Sequence, residues 1–368
     1  MRVLPINYTE EIRRYQIAPT LRLDLVKLFE RHNLKPARKR FADTSVAYKT
    51  AYRRFVNTCS AFQDLARLGY RIERLANFKE KHVLALVRDW EAAGHAAGTI
   101  ENKLSYLRWV AKWVGKPGMV KAGKTYAADP ESLRRSGLAQ ADKSWEGNGV
   151  DALKVIEEVR GLDKLVAAQV EIACAMGLRA EEAMLKRPWL ALNDALTRGA
   201  VRVEYGTKGG RPRDVVMHDV VQIEVLSRAV MLARAPDATL IPPNRTYDQW
   251  KNHFYYVCRK CGIKKDTSDG GLGVTIHGMR HGFVQRLFER LTGLPAPIKC
   301  VDGVEYDPGQ YCAAMIAVVE AAGHSDRYKA GAYLGSPRAM QRLRAALEHH
   351  NRSGRSGNGG EANDHLGA

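Results

Sequence analysis

The chain has 368 residues, 45% of them hydrophobic and 27% charged, which are globular values and leave room for two ordinary domains, each burying its own core. No apolar run reaches the length of a membrane span, and the start, MRVLPINYTEEIRRY, carries charge where a secretory signal needs an apolar stretch, so a cytoplasmic protein without membrane contact is expected. Lys and Arg number 58 against 40 Asp and Glu, a formal charge of +18; residues 1–150 carry 28 basic and 15 acidic groups, leaving 30 and 25 for the rest. An excess of this size, concentrated in the first part of the chain, fits a polyanionic partner, of which nucleic acid is the commonest in the cytosol.

Residues 1–43 are basic and weakly periodic and are read as a separate N-terminal segment, a small helical element or a mobile arm. From Thr44, a candidate helix cap, Tyr52, Phe55, Cys59, Phe62 and Leu65 recur every three or four residues. FKEKHVLALVRDWEAAG predicts a second helix ended by Gly94. AGTIENKLSYLRWVAKWVG predicts a third, capped by Thr99 and stopped at Gly115, with Ile100, Leu104, Leu107 and Val110 or Ala111 turned to a core. The same helix carries Lys103, Arg108 and Lys112, which are taken as DNA-binding candidates, and residues 44–125 are expected to form one helical module. Residues 126–149 lose apolar periodicity and read as a linker. A second domain is expected over 150–350, opening with helices and containing one clear β signal, AVRVEYGTKGGRPRDVVM, two short Val-rich strands around a Gly-Gly turn. Residues 351–368 are too polar to fold alone. The fold class is therefore mainly α with a small β-hairpin.

The six cysteines do not form a disulfide framework; CRKC at 258–261 lies in a helical pattern and lacks the second pair that zinc requires. Four other places hold polar residues of chemical interest. Arg179 follows Gly177-Leu178, where an apolar helix breaks, and Glu182 lies one turn on, close enough for a structural salt bridge. Lys208 sits at the expected hairpin tip. In TIHGMRHGFVQRLFERL, Thr275 is a candidate N-cap and His277, Arg280 and His281 share one face by i, i+3 and i+4 spacing. His324 stands nine positions before Tyr333 in AAGHSDRYKAGAYLG. Taken singly, each has an ordinary structural reading.

Taken in order, GLRAEE, GTKGG, HGMRH, AGH and Tyr333 resemble the tyrosine recombinase, or phage integrase, family across the whole second domain, and the helical module before it looks like that family's core-binding domain. The resemblance implies strand cleavage through a covalent 3′-phosphotyrosyl intermediate with Tyr333 as nucleophile. Arg179 and Arg280 would hold the phosphate, Lys208 would protonate the leaving 5′ oxygen, His277 would accept a proton or bind phosphate, and His324 would donate to the phosphate. Glu182 and His281 would support them. Such chemistry suits the residues: a phenol is largely protonated at neutral pH and needs a base or a cationic pocket, and guanidinium forks match phosphate oxygens. The resemblance also implies no cofactor and no metal, double-stranded DNA as partner, a homo-tetramer assembled on it, accessory DNA-bending proteins, and a place at the nucleoid. A mobile-element or prophage integrase is the reading taken.

Two departures stand out. The interval from Arg280 to His324 is long, and LTGLPAPIKCVDGVEYDPGQYC, residues 291–312, reads as an inserted loop, which brings Tyr311 and Tyr328 forward as rival nucleophiles. Gly282 follows His281 where the family usually carries a small polar residue. The competing functions are a housekeeping chromosome-dimer resolvase, a type IB topoisomerase, a non-catalytic DNA-binding protein, and a nuclease using His277, His281 and His324 as metal ligands.

Overall fold

A computed structural model describes residues 6–35, 46–134, 136–207, 210–301, 303–324 and 326–338, apart from the side chains of Arg327 and Tyr328. Thr44, Lys208 and the tail at 351–368 lie outside the described residues. The chain divides into two compact units, residues 1–136 and 137–368, each with its own apolar core.

In the first unit, α1 (Tyr8–Glu11), α2 (Pro19–His32), α3 (Tyr48–Arg67), α4 (Glu80–Ala92) and α5 (Ala97–Trp113) surround one core. Phe55, Cys59, Phe62 and Leu65 of α3 and Ile100, Leu104, Leu107, Val110 and Ala111 of α5 are buried, so the three-to-four spacing identified the inward faces. Gly94 and Gly115, at φ 71° and 77°, supply the left-handed turns after α4 and α5. Helix α5 begins before the expected cap: Ala96 is its N-cap and Thr99 lies inside the first turn.

The N-terminal segment is not separate from this module. Leu21, Leu25, Val26 and Phe29 of α2 are buried in the same core, and Tyr8 lies 4.8 Å, ring to ring, from Phe55. Asn33, wholly buried, donates to Tyr8 Oη and Ala51 O, both at 2.9 Å, which satisfies its amide and joins α1 to α3.

The second unit contains α6 (Ala152–Leu162), α7 (Lys164–Met176), α8 (Ala180–Met184), α9 (Pro188–Arg198), β1 (Ala200–Val203), β2 (Arg213–Val216), α10 (Val220–Val230), α11 (Tyr247–Lys260), α12 (Ile276–Thr292), α13 (Pro308–Ala321) and α14 (Gly331–Leu334). Asp151 and Asp163 cap α6 and α7 by accepting from backbone N–H groups two and three residues on. The strands form one antiparallel hairpin, Ala200 opposite Val216 and Val203 opposite Arg213. Cys258 and Cys261 at the end of α11 are free thiols, Cys258 fully packed in the core and raised to about 12 by burial.

The stretch expected as a linker, 126–149, is divided between the two cores. Tyr126, Ala127 and Leu133 belong to the first, Ala139 and Trp145 to the second. Residues 138–146 lie along α12 and α14. Ala139 N donates to Gly331 O (2.8 Å), Trp145 Nε1 to Thr275 O (2.8 Å), and Asp142 Oδ1 accepts from Gln285 (2.7 Å). Their anchors are single residues in a polar background, so no periodicity announced them. Gly278 is where this strap comes closest: a Cβ there would sit 2.6 Å from Lys143 O and 2.9 Å from the Trp145 ring. Gly278→Ala is expected to destabilise the second unit by about 1–3 kcal/mol, the usual cost of overpacking, read as a lower thermal midpoint.

The described residues of the inserted stretch pack against α12. Tyr306 and Tyr311 pack on each other at 5.4 Å and on Phe288 of α12, and Tyr306 Oη donates to Pro295 O at 2.8 Å. Tyr311 is thereby a packing residue against α12.

Candidate active site

The site is built around one carboxylate. Helix α7 ends at Gly177, whose φ of 60° and contact with the Phe283 ring leave no room for a side chain. The chain then runs extended through Arg179, the N-cap of the short α8, and reaches Glu182 in the first turn. Glu182 is fully buried and accepts from three arginines. Oε1 takes Arg179 Nη1 (2.6 Å) and Arg213 Nη1 (2.8 Å). Oε2 takes Arg179 N (2.8 Å), Arg213 Nη2 (2.7 Å) and Arg280 Nη1 (3.5 Å). Burial opposes its charge, but the hydrogen bonds and charge of Arg213, the Arg179 N–H and the charge of Arg280 outweigh it and hold the carboxyl at about 2.

Three guanidinium groups on one carboxylate leave a local excess of two positive charges. Carbonyl groups at the end of α13 absorb further donors: Ala321 O takes Arg213 Nε (2.8 Å), and Ala322 O takes Arg179 Nη2 (3.3 Å) and Arg280 Nη2. These are the orphan acceptors and the negative end of a helix, so cations suit them. Gly323 then turns the chain at φ 65° and His324 follows. Arg280 has no exposed surface; Gly177 O takes its Nη1 at 2.9 Å, and its Nε has no acceptor among the described residues. The excess charge and that open donor are what an entering anion would satisfy.

Tyr333 lies beside this cluster, 6% exposed, with His324 Nε2 3.1 Å from its Oη. Three imidazoles surround its ring, His281 at 4.8 Å, His324 at 5.9 Å and His277 at 6.2 Å between centroids. His277 and His281 stack edge-on at 5.3 Å, the consequence of their i, i+4 spacing on α12. Thr275 is the N-cap of that helix by backbone geometry, without a side-chain cap bond. His324, rather than His277, holds the hydrogen bond to the phenol.

Burial, then the charges of Arg280 and Arg179, pushes His277 down to about 4, and burial and His277 do the same to His281. Both rings are therefore neutral at pH 7 and able to accept a proton. His281 is 5% exposed with its Nδ1 unpartnered among the described residues, whereas His277 keeps an exposed edge on which solvent moderates the shift. Because the folded value for His281 lies below the ordinary 6.5, the unfolded chain binds the extra proton between those values. Stability is expected to fall as pH drops from about 6.5 to 4, by up to about 3 kcal/mol. Thermal unfolding across that window should show the slope, flattened in His281→Asn.

Lys208 is outside the described residues, but the hairpin before it approaches the site. A Cβ on Gly206 (φ 73°) would lie 2.7 Å from the Glu181 carbonyl carbon, and Thr207 lines the same cleft as Arg179, Thr275 and His277. Gly282 faces Glu146 Oε2, which a Cβ would meet at 2.6 Å. Among the described residues no group of three or more His, Cys, Asp or Glu side chains is placed to hold a metal ion.

The three DNA-binding candidates belong to the first unit and differ in what they can offer. Arg108 is committed to structure, pairing with Glu101 (3.1 Å) and donating to Val120 O and Lys121 O. Lys103 lies half-buried, its Nζ 4.3 Å from the Trp90 ring. Lys112 is exposed, 5.5 Å from the Trp109 ring.

Sequence reasoning missed Arg213. It is 7% exposed and occupies the inward phase of β2, where burial alternates with Val215. An arginine on the inward phase of a short strand is costly unless paired, but the sequence does not mark which phase faces inward.

Residues 33–120 match the family described as Phage integrase, N-terminal, and residues 140–267 the family described as Integrase. Together these spans cover more than half of the chain and include Arg179, Glu182, Lys208 and Arg213; His277 to Tyr333 lie beyond them. No curated protein sequence matches the chain. Among solved structures, the lambda integrase dimer bound to a COC′ core site is similar at a TM-score of 0.52 and 16% identity, over 85% of this chain and 77% of that one. The Tn1549 transposon integrase in complex with transposon right end DNA is similar at 0.52 and 13% identity, over 89% of this chain and 99% of that one. At such identities the likeness is one of fold, and it agrees with the mainly helical architecture and the hairpin of the described residues. With matches to the families described as Phage integrase, N-terminal, and Integrase, and with that fold, the chain belongs to the tyrosine recombinase, or phage integrase, family of site-specific DNA recombinases.

Proposed function

We propose that this protein cuts and rejoins DNA at the ends of a mobile element, using Tyr333 as nucleophile. The observation that carries the reading is the pairing of Tyr333 and His324 beside a buried cluster of three arginines that share one carboxylate. In the cleavage step Tyr333 Oη bonds to the scissile phosphorus and the bond from phosphorus to the 5′ oxygen breaks. The phenolic proton passes to an imidazole, with His324 in hydrogen-bond contact and His277 neutral at pH 7. Arg179 and Arg280 neutralise the charge that builds on the non-bridging oxygens, and Lys208 gives a proton to the departing oxygen. Phosphodiester energy stays in the phosphotyrosyl bond, so the reverse attack by a 5′ hydroxyl reseals a strand without an external energy source. Exchange between two sites uses four such centres, hence a tetramer on DNA. The solved structures it resembles are those of integrases bound to DNA.

The test is covalent capture in chelating buffer on a pool of nicked duplexes of randomised sequence, with the linked peptide mapped and the trapped DNA sequenced. Expected is a 3′-phosphate linked to Tyr333 on DNA enriched for inverted repeats found at mobile-element ends. An adduct that needs a divalent metal, or none at all, overturns the enzymatic reading; enrichment for a chromosomal dimer-resolution site overturns the mobile-element assignment.

A further inference from the structure

We propose that Arg213 is a positioning residue for strand cleavage, acting through Glu182 to keep the donors of Arg179 and Arg280 open for phosphate; this rests on the recombinase reading above. Arg213 has no donor left for DNA, because all three of its side-chain nitrogens are engaged within the protein. It grips Glu182 by both Nη atoms at 2.8 and 2.7 Å, the planar fork that matches a carboxylate. A carboxylate has about four lone-pair positions, and Arg213 fills one on each oxygen. Arg179 and Arg280 are thereby limited to one side-chain bond each to Glu182, and Arg280 Nε is left without an acceptor among the described residues. Without Arg213, the buried carboxylate would recruit both remaining forks more fully, turning their donors away from an incoming phosphate.

Two further contacts give the same side chain a hold on its surroundings. Its Nε on Ala321 O fixes the end of α13, and its Cδ lies where a Cβ on Gly323 would come within 2.9 Å, so it shapes the turn that presents His324. Arg213 also opens the return strand of the hairpin five residues after Lys208. A role through the hairpin would act on protonation of the leaving group, and a role through Glu182 would not, which separates the two by experiment.

Covalent-adduct formation and DNA binding are to be measured for the full chain, Arg213→Met and Arg213→Lys, on DNA captured by the wild-type protein. A matched substrate carries sulfur in place of the leaving 5′ oxygen, a thiolate that departs without a proton. Expected for Arg213→Met is binding close to wild type and cleavage slower by about 10²–10³-fold, the scale of losing preorganised charge stabilisation, with no recovery on the sulfur substrate. Arg213→Lys, which keeps the charge without the fork, should recover part of that loss. Wild-type cleavage of the sulfur substrate with Arg213→Met fully restored on it would overturn the proposal, as would Arg213→Met cleaving the oxygen substrate at the wild-type rate. If Arg213→Met fails to fold, Arg213→Lys decides alone: a reduced rate with intact binding and no sulfur rescue supports the proposal, and an unchanged rate overturns it. Failure of the wild type to form any adduct counts against the recombinase reading instead.

Discussion

Replacing Tyr333 by Phe is expected to leave a folded, DNA-binding protein that forms no covalent adduct. The substitution removes one oxygen and keeps the ring, so the contacts with His281, His324 and His277 persist. What is lost structurally is the hydrogen bond between Oη and His324 Nε2, worth about 1 kcal/mol, within what a domain of this size tolerates. What is lost chemically is the only atom at that position able to bond to phosphorus, so cleavage falls to background. Denaturing electrophoresis after incubation with nicked DNA reads the adduct, and a gel-shift assay reads binding. Tyr311→Phe and Tyr328→Phe should both retain the adduct, Tyr311 because its ring is spent on Phe288 and Tyr306. Loss of the adduct in Tyr328→Phe with retention in Tyr333→Phe would transfer the nucleophile to Tyr328.

The candidate site's geometry was legible in the sequence wherever it is local. His277, Arg280 and His281 share a face because a helix places i, i+3 and i+4 together, and Arg179 and Glu182 meet across one turn. Arg213 was not legible, because its partner is 31 residues away and nothing in RPRDVV marks which strand phase faces inward until the hairpin has docked. The same limit hid the strap: Trp145 reaches Thr275 across 130 positions, a contact that no window of sequence contains. For α2 the signal existed, Leu21, Leu25, Val26 and Phe29 at i, i+4, i+5 and i+8, but the surrounding basic residues favoured reading it as an arm. Arg108 shows the converse. A basic residue on a helix of a basic module suggested DNA contact, yet its guanidinium is occupied by Glu101 and two loop carbonyls.

Glu182→Gln should damage stability and catalysis together, and the two losses share one cause. The carboxylate is the counter-charge for Arg179, Arg213 and Arg280, and removing one partner of a buried ionic cluster costs about 3–5 kcal/mol, because the remaining charges stay desolvated. Glutamine retains an acceptor oxygen but replaces the other by an NH₂ that points a donor at guanidinium donors. The three arginines are then free to repack, and cleavage should fall by about 10²-fold or more as the phosphate-binding donors lose their fixed directions. Linkage supplies an independent check. Glu182 is held at about 2, below its ordinary 4.5, so its contribution to stability is fully present above about pH 4.5 and lost as pH falls towards 2, roughly 3 kcal/mol in all. The wild-type protein should lose that increment across the interval, whereas Glu182→Gln, already without it, should show a shallower acid slope in chemical denaturation. Inorganic phosphate should raise the melting temperature of Glu182→Gln more than that of the wild type, since an anion entering the cluster would replace the missing charge. Equal acid slopes for the two proteins would mean that Glu182 is not the anion on which the arginine cluster depends.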